Sequence, residues 1–406
     1  MGDSAYTLFA QQQTDRGIDI ERVKTLLKTL KVETPSWGYG DSGTRFKVFQ
    51  QVGVPRNPFE KLEDAAQVHH VTGMCPSVAL HIPWDKVDDY GQLRRHAEAL
   101  GLTLGAINPN LFQNDEYIFG SICNSQLAIR RKAVDHILEC VDVARATGSS
   151  IISLWLADGT NYPGQDSIRQ RKHRLLETLQ EIYQALDPNM RLLIEYKFFE
   201  PAFYHTDLGD WGMAYNMALK LGDQAQVLVD TGHHAQGTNV EQIVAYLLDE
   251  QKLGGFHFNS RKYADDDLIV GAINPYELFL IFYQILDAHT DSDAGVRQTA
   301  ENIAYMIDQS HCIEPKIPAM IRSVLNVQTQ FAKALLINLD QVREAQEKQD
   351  VLAAENAVRE AFECDVTPLL QVVREEMSVP VDPMRAYLES GYPEAIRARG
   401  KGGASW

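Results

Sequence analysis

Short apolar runs recur along the chain, each ending in polar or turn-forming residues, with intervals long enough for a helix between most of them. The runs are PSWGYG (35–40), SVALHIPW (77–84), LTLGAINPN (102–110), IISLWLAD (151–158), RLLIEYK (191–197), AQVLVDTGHH (225–234), GGFHFN (254–259) and IAYMIDQS (303–310). Each is read as a strand. The intervals have helical character, as in AIRRKAVDHILECVDVARATG after residue 127, QRKHRLLETLQEIYQAL at 170–186 and NVEQIVAYLLDEQKL at 239–253. Strands alternating with helices predict parallel βαβ units, and eight of them predict an α/β fold closed as a (β/α)₈ barrel. An open doubly wound sheet would want a Gly-rich phosphate turn after an early strand, and neither G-x-G-x-x-G nor G-x-x-x-x-G-K-[ST] occurs.

A polar helix is expected around 18–31, giving a division into an N-terminal helical segment (1–32), the barrel (33–310) and a C-terminal helical extension (311–406). The extension contains IPAMIRSVLNVQTQFAKALLI and LDQVREAQEKQDVLAAENAVREAFECD and no strand pattern, so it is expected to wrap a neighbouring subunit and support oligomerisation. The final RARGKGGASW reads as a loose tail. A length of 406 residues suits one barrel with an appendage.

Composition changes this picture little, at 45% hydrophobic and 23% charged, but charge narrows the partners. With 38 Lys and Arg against 55 Asp and Glu the formal charge is -17, which opposes binding to a nucleic-acid backbone. Cys75, Cys123, Cys140, Cys312 and Cys364 lack C-x-x-C spacing and are read as free thiols in a reducing compartment. The beginning MGDSAYTLFAQQQTDRG has no basic start followed by an apolar run, and no stretch of roughly 18 apolar residues occurs, so a cytoplasmic protein without a membrane partner is expected.

Strand ends of a barrel converge on one mouth, so polar residues there are the candidate chemistry. Glu195 and Lys197 lie two apart at the end of RLLIEYK and share a strand face. A surface ion pair on a frayed strand end is the plainer reading of these two alone. Asp230 and His233 end the sixth run with Gly232 between them, a pattern that a capping Asp and an incidental His also give. His257 sits between two Phe residues, as a hydrogen-bonded core His would. In ADDDL, Asp265 and Asp267 can face one way, and three consecutive acids repel unless a cation sits among them or water solvates the loop. Asp308 follows IAYMI. Five carboxylates, two imidazoles and Lys197 at neighbouring strand ends are neutralised most economically by two divalent ions. Oxygen-rich ligation favours Mg²⁺ or Mn²⁺ over zinc, and the two His tilt it toward Mn²⁺ or Co²⁺. Trp37, His81, Trp84, Phe112 and Trp155 from earlier strands would give aromatic faces suited to a carbohydrate, though Trp in a barrel is also ordinary core.

The segments PSWGYGDSGTRF, LHIPWDK, WLADGTNYPGQ, EYKFFEPAFY, VDTGHH, GGFHFN, KYADDDL and MIDQSH together resemble the bacterial-type L-rhamnose isomerases, within the broader xylose-isomerase-like barrels, over roughly residues 17–395. The resemblance implies a (β/α)₈ barrel, a homotetramer, two divalent ions per chain and interconversion of an aldose with its ketose, L-rhamnose to L-rhamnulose foremost, with D-allose and D-allulose as further substrates. It assigns Glu195, Asp230, His257 and Asp308 to one ion and Asp230, His233, Asp265 and Asp267 to the other, with Asp230 bridging. It places Lys197 at the sugar carbonyl oxygen, His81 at the ring-opening end, and Trp37, Phe112 and Trp155 along the pocket. Lys197, His81 and Asp308 are thus the candidate catalytic groups, and a metal-assisted 1,2-hydride shift is expected. Tyr196, Ser260 and Arg261 depart from the family pattern, which has His at the first and an acid and Ser at the other two. A metal-dependent phosphodiesterase shares the barrel and ligand types but wants a basic groove. A non-catalytic sugar-binding barrel needs neither Lys197 nor a full ligand set.

Overall fold

The computed structural model describes residues 2–41, 48–200 and 204–402. Eight parallel strands close into a barrel: β1 (Glu33–Pro35), β2 (Ser77–Ile82), β3 (Thr103–Pro109), β4 (Ile151–Trp155), β5 (Arg191–Glu195), β6 (Ala225–Asp230), β7 (Leu253–Phe258) and β8 (Ala304–Ile307). β1 pairs with both β2 and β8, which closes the ring. The predicted α/β barrel is therefore the fold. A separate three-stranded sheet of Gly159–Thr160, Phe199–Glu200 and Tyr204–Thr206 stands over β4 and β5.

The first apolar run departs from its expected strand. Only Glu33–Pro35 is extended, and Ser36–Tyr39 turns as a 3₁₀ helix. The turn packs so closely that a Cβ on Gly38 would lie 2.8 Å from the Met320 methyl and 3.0 Å from the Gln309 carbonyl oxygen. Trp37 is thereby turned toward the neighbouring strand β8, where its Nε1 donates to Asp308 Oδ1 at 2.8 Å.

Inside the barrel, Ala79, Ala106, Leu193, Leu228 and Met306 form a buried apolar layer beneath Trp37. Under them the floor is polar and filled. Glu33 accepts from the Ser77 hydroxyl and from the Ala106 N–H at 3.0 Å. Gly105 makes this possible, since a Cβ there would fall 1.4 Å from Glu33 Oε2. Opposite, Arg191 Nη1 donates to Gln226 Oε1 and to the carbonyls of Gly254 and Asn302.

Six of the flanking helices begin at side-chain caps: Asn57, Asp89, Ser167, Asp210, Asn239 and Asn274 each accept from a first-turn N–H, offsetting the unpaired donors there. Lys316–Ala334, which opens the stretch counted from residue 311, packs against both Pro275–Ala288 and Pro58–Thr72 and so sits in the ring between the seventh helix and the first. The acidic run after it is two helices, Leu339–Glu347 and Val351–Glu363, broken where Gln349 takes a φ of 56° and Asp350 caps the second. Thr367–Glu376 packs on the N-terminal helices Gly2–Asp15 and Ile20–Thr29, with Lys24 Nζ 2.8 Å from Glu376. The supposed loose tail is anchored as far as residue 400. Arg399 reaches Asp64 at 2.8 Å, and the Gly53 N–H donates to the Gly400 carbonyl. Residues 403–406 lie outside the described residues. Among the described residues no helix is long and apolar enough to cross a membrane.

Candidate metal centre

The apolar interior of each strand carries its polar terminus to the mouth, and register brings neighbouring termini level. His257 pairs with Asp230 across β7 and β6, Trp155 with Glu195 across β4 and β5, and the Asp308 N–H donates to the Phe258 carbonyl at 2.9 Å. Two sets of potential ligand atoms result, each gathered within 4.8 Å: Glu195, Asp230 and His233, and Asp230, His257 and Asp308. Asp230, fully buried, belongs to both.

Within the first set, His233 Nδ1 lies 3.1 Å from the Tyr196 carbonyl oxygen and 3.1 Å from Glu195 Oε1. Holding that nitrogen to the backbone directs Nε2 inward, toward Asp230 at 3.9 Å and Asp265 at 3.5 Å. In the second, His257 Nδ1 is 3.3 Å from Glu195 Oε2 and 3.9 Å from Asp308 Oδ2. Neither His257 ring nitrogen makes a well-formed hydrogen bond, and Asp265 Oδ1 is likewise buried without a donor. Buried imidazole nitrogens and carboxylate oxygens left without hydrogen bonds fit a divalent cation, which would supply the missing partner to several at once.

Asp265 and Asp267 stand beside these sets and are not members of them. Asp265 Oδ2 accepts from Lys197 Nζ at 2.6 Å. Asp267 takes a left-handed φ of 49° and approaches Asn259 Nδ2 at 3.5 Å. Between them Asp266 turns away and accepts from the N–H groups of Lys262 and Tyr263, so the acidic triplet divides into two inward side chains and one that braces the loop.

Titration follows from this crowding. Burial pushes Asp230 up to about 6 and Asp308 up to about 7, against the pull of the neighbouring His rings. Burial also raises Asp267 well above the usual carboxylate range, with Asp265 adding repulsion. Burial would lower His257, but Glu195 outweighs it and lifts the ring to about 9. Burial would raise Glu195, and the charges of His257 and His233 instead hold it at about 2.

The opposite wall is aromatic. His81 stacks on Trp84 with centroids 3.6 Å apart and meets Trp37 edge-on at 5.6 Å. Phe112 contacts Trp155 at 4.8 Å, and Lys197 Nζ lies 5.0 Å over the Trp155 ring, linking the wall to the acids. Burial, reinforced by the Lys61 charge, holds His81 well below the usual His range, so it is neutral.

Asn259 escaped the sequence reading. It donates to Asp230 Oδ1 at 3.0 Å, and its position two residues beyond His257 was the available signal. Tyr196 faces outward and meets His234 Nε2 at 2.6 Å. Ser260 bridges to Leu268, while Arg261 donates to the Thr231 carbonyl and pairs with Glu277 at 3.0 Å.

Comparison with known proteins agrees with this architecture. The chain is 42% identical over 398 residues to a probable sugar isomerase of Rhizobium meliloti (strain 1021), covering 97% of this chain and 91% of that one. It is 39% identical, with the same coverage, to a probable sugar isomerase of Mesorhizobium japonicum. Among solved structures, an L-ribulose 3-epimerase superposes with a TM-score of 0.56 at 14% identity, covering 76% of this chain and 98% of its own. A D-allulose 3-epimerase from Methylomonas sp. gives 0.53 at 13% identity, covering 74% and 98%. These likenesses concern the fold. Residues 71–310 match the model of the xylose isomerase-like TIM barrel, and with that match and the two full-length relatives the chain belongs to the xylose isomerase-like TIM barrel family.

Proposed function

We propose that the protein is a metal-dependent aldose–ketose isomerase whose substrate is a 6-deoxyhexose, L-rhamnose foremost, converted to L-rhamnulose, with D-allose and D-allulose as further substrates. The observation that carries this reading is the sharing of Asp230 by two ligand groups directly beside Lys197 and an aromatic wall. Glu195, Asp230, His257 and Asp308 would hold one divalent ion, and Asp230, His233, Asp265 and Asp267 the other, Mn²⁺ first, with Co²⁺ or Mg²⁺ as alternatives. When bound, such ions supply Lewis-acid stabilisation of negative charge on sugar oxygens.

The side chains divide the remaining work. Lys197 would direct its ammonium at the carbonyl oxygen O1, where negative charge grows as hydrogen with its electron pair moves from C2 to C1; the O2 hydroxyl loses its proton as C2 becomes the ketone, and O1 takes up a proton to finish as the C1 hydroxyl. Asp265 keeps that ammonium in place at 2.6 Å. Neutral His81 can take a ring hydroxyl proton and return it to the ring oxygen, opening the sugar. Trp37, Phe112 and Trp155 cover the C–H faces and exclude water. Removing the C2 proton as a proton would require a free carboxylate beside the carbon, and this reading leaves none: Glu195, Asp230 and Asp308 are grouped as potential ligands, Asp265 is held by Lys197, and Asp265 and Asp267 are both assigned to the second ion. A 1,2-hydride shift therefore fits these residues better than an ene-diol route.

The test is turnover of a panel of aldoses by Mn²⁺-loaded protein, run also in D₂O. Ketose formation with little deuterium at C1 or C2 is the expected result. Absence of ketose with every aldose rejects the isomerase, and substantial carbon-bound deuterium rejects the hydride shift.

A further inference from the structure

Asp85 lies outside the ligand sets and makes no contact with the proposed sugar position, yet it is fully buried and engaged on every side. It follows Trp84 in the turn after β2. Oδ2 accepts from the His81 N–H at 2.8 Å and from the Ser36 hydroxyl, Oδ1 accepts from Lys61 Nζ at 2.7 Å, and its own N–H donates to the His81 carbonyl at 2.8 Å. One carboxylate thus joins the end of β1, the end of β2 and the helix Pro58–Thr72.

The side chains of Lys61 and Asp85 are 4% and 0% exposed. A pair so buried returns little net stability, because desolvation cancels most of the attraction, and well-packed apolar residues often do as well. Geometry is what the pair supplies and an apolar pair would not. Ser36 is the neighbour of Trp37, whose indole N–H binds Asp308. His81 and Trp84 form the stacked half of the aromatic wall. Trp37 and the His81–Trp84 stack come from different strands, and Asp85 ties the two together. His81 Nδ1 has no hydrogen-bond partner, so the ring is aimed by stacking and by the backbone that Asp85 grips.

We infer that Asp85 is a positioning residue: it sets the spacing between Trp37 and the His81–Trp84 stack and thereby the grip of the site on the apolar face of the sugar. The inference rests on the isomerase reading for its kinetic consequence but not for its structural one. The test uses the full-length, Mn²⁺-loaded protein with L-rhamnose, and compares Lys61→Met/Asp85→Leu, which removes both charges and leaves neither unpaired, with Lys61→Arg and with Ser36→Ala.

The double variant should keep its far-UV spectrum and Mn²⁺ content, change its near-UV tryptophan circular dichroism, and raise KM about tenfold while kcat falls much less, since a wall displaced by a fraction of an ångström loses orientation before chemistry. Lys61→Arg, which preserves the pair, should stay close to wild type. A folded double variant with wild-type KM and an unchanged near-UV spectrum overturns the inference. If the double variant does not fold, Ser36→Ala decides, because it removes a single contact to Asp85: a raised KM with a shifted near-UV spectrum supports the role, and wild-type behaviour in both overturns it. Failure of the wild-type protein to turn over any aldose rejects the isomerase reading alone, and the near-UV comparison then still reads Asp85.

Discussion

Replacing Asp230 by Asn is the sharpest perturbation of the centre, because this side chain belongs to both ligand groups. The change is nearly isosteric and removes one charge. A unit charge about 4 Å from a cation is worth roughly 2 × 4 kcal/mol for a divalent ion at an effective dielectric of about 20 before competing solvation, so even half of that survives as about 4 kcal/mol, or on the order of a thousandfold in affinity. Both ions should feel it. The fold should not suffer. Burial already pushes Asp230 up to about 6, so removing its charge relieves repulsion from Glu195 and Asp265, and the metal-free variant should melt no lower than metal-free wild type. Asn259 and Gly232, which donate to Asp230 Oδ1 at 3.0 Å and 2.6 Å, can still be met by the amide oxygen. The assay is Mn²⁺ titration calorimetry with metal analysis after dialysis, beside Asp266→Asn as a control in the loop-bracing position. A variant that binds Mn²⁺ within about tenfold of wild type would refute the shared-ligand reasoning.

Metal binding should release protons near pH 7, because His257 at about 9 holds one there and Asp308 at about 7 is half protonated, and ligation needs both bare. Affinity should therefore rise with pH through that range, and calorimetry in buffers of different ionisation heat checks it; a buffer-independent heat contradicts it. Lys197→Met should lower kcat far more than it weakens sugar binding, since the ammonium matters most when O1 becomes anionic, and equal losses in both would show that it serves binding. Ending the chain at residue 334 keeps the eighth ring helix but removes the later ones. If the intact chain forms the homotetramer that the family resemblance implies, the shortened chain should then sediment as a smaller species, and an unchanged assembly would move the interface to the barrel.

Much of the barrel was legible because strand ends announce themselves: seven of the eight runs place a strand where an apolar stretch meets a polar terminus, as at Glu195, Asp230 and Asp308. The first run failed at Trp37 for a reason outside the run. Its turn is set by Met320 and Gln309, far away in sequence. Likewise ADDDL announced a loop needing neutralisation, but not that Lys197 takes Asp265, which depends on a contact between distant segments, nor that Asp266 turns back onto the N–H groups of Lys262 and Tyr263 in its own loop. Asp85 gave no signal at all. A single acid after a Trp looks like any turn residue until Lys61 and Ser36 are folded against it.

The filled floor of the barrel also constrains traffic. With Glu33 and Arg191 filling one end beneath a packed apolar layer, the described residues leave the interior no second exit. Whatever small molecule arrives at the mouth must depart by the same opening, so product and incoming substrate compete for one doorway. Product lingering in that entrance would block the next substrate, so inhibition by product is expected to be competitive, while the direction of net flux is set by concentration as for any catalyst.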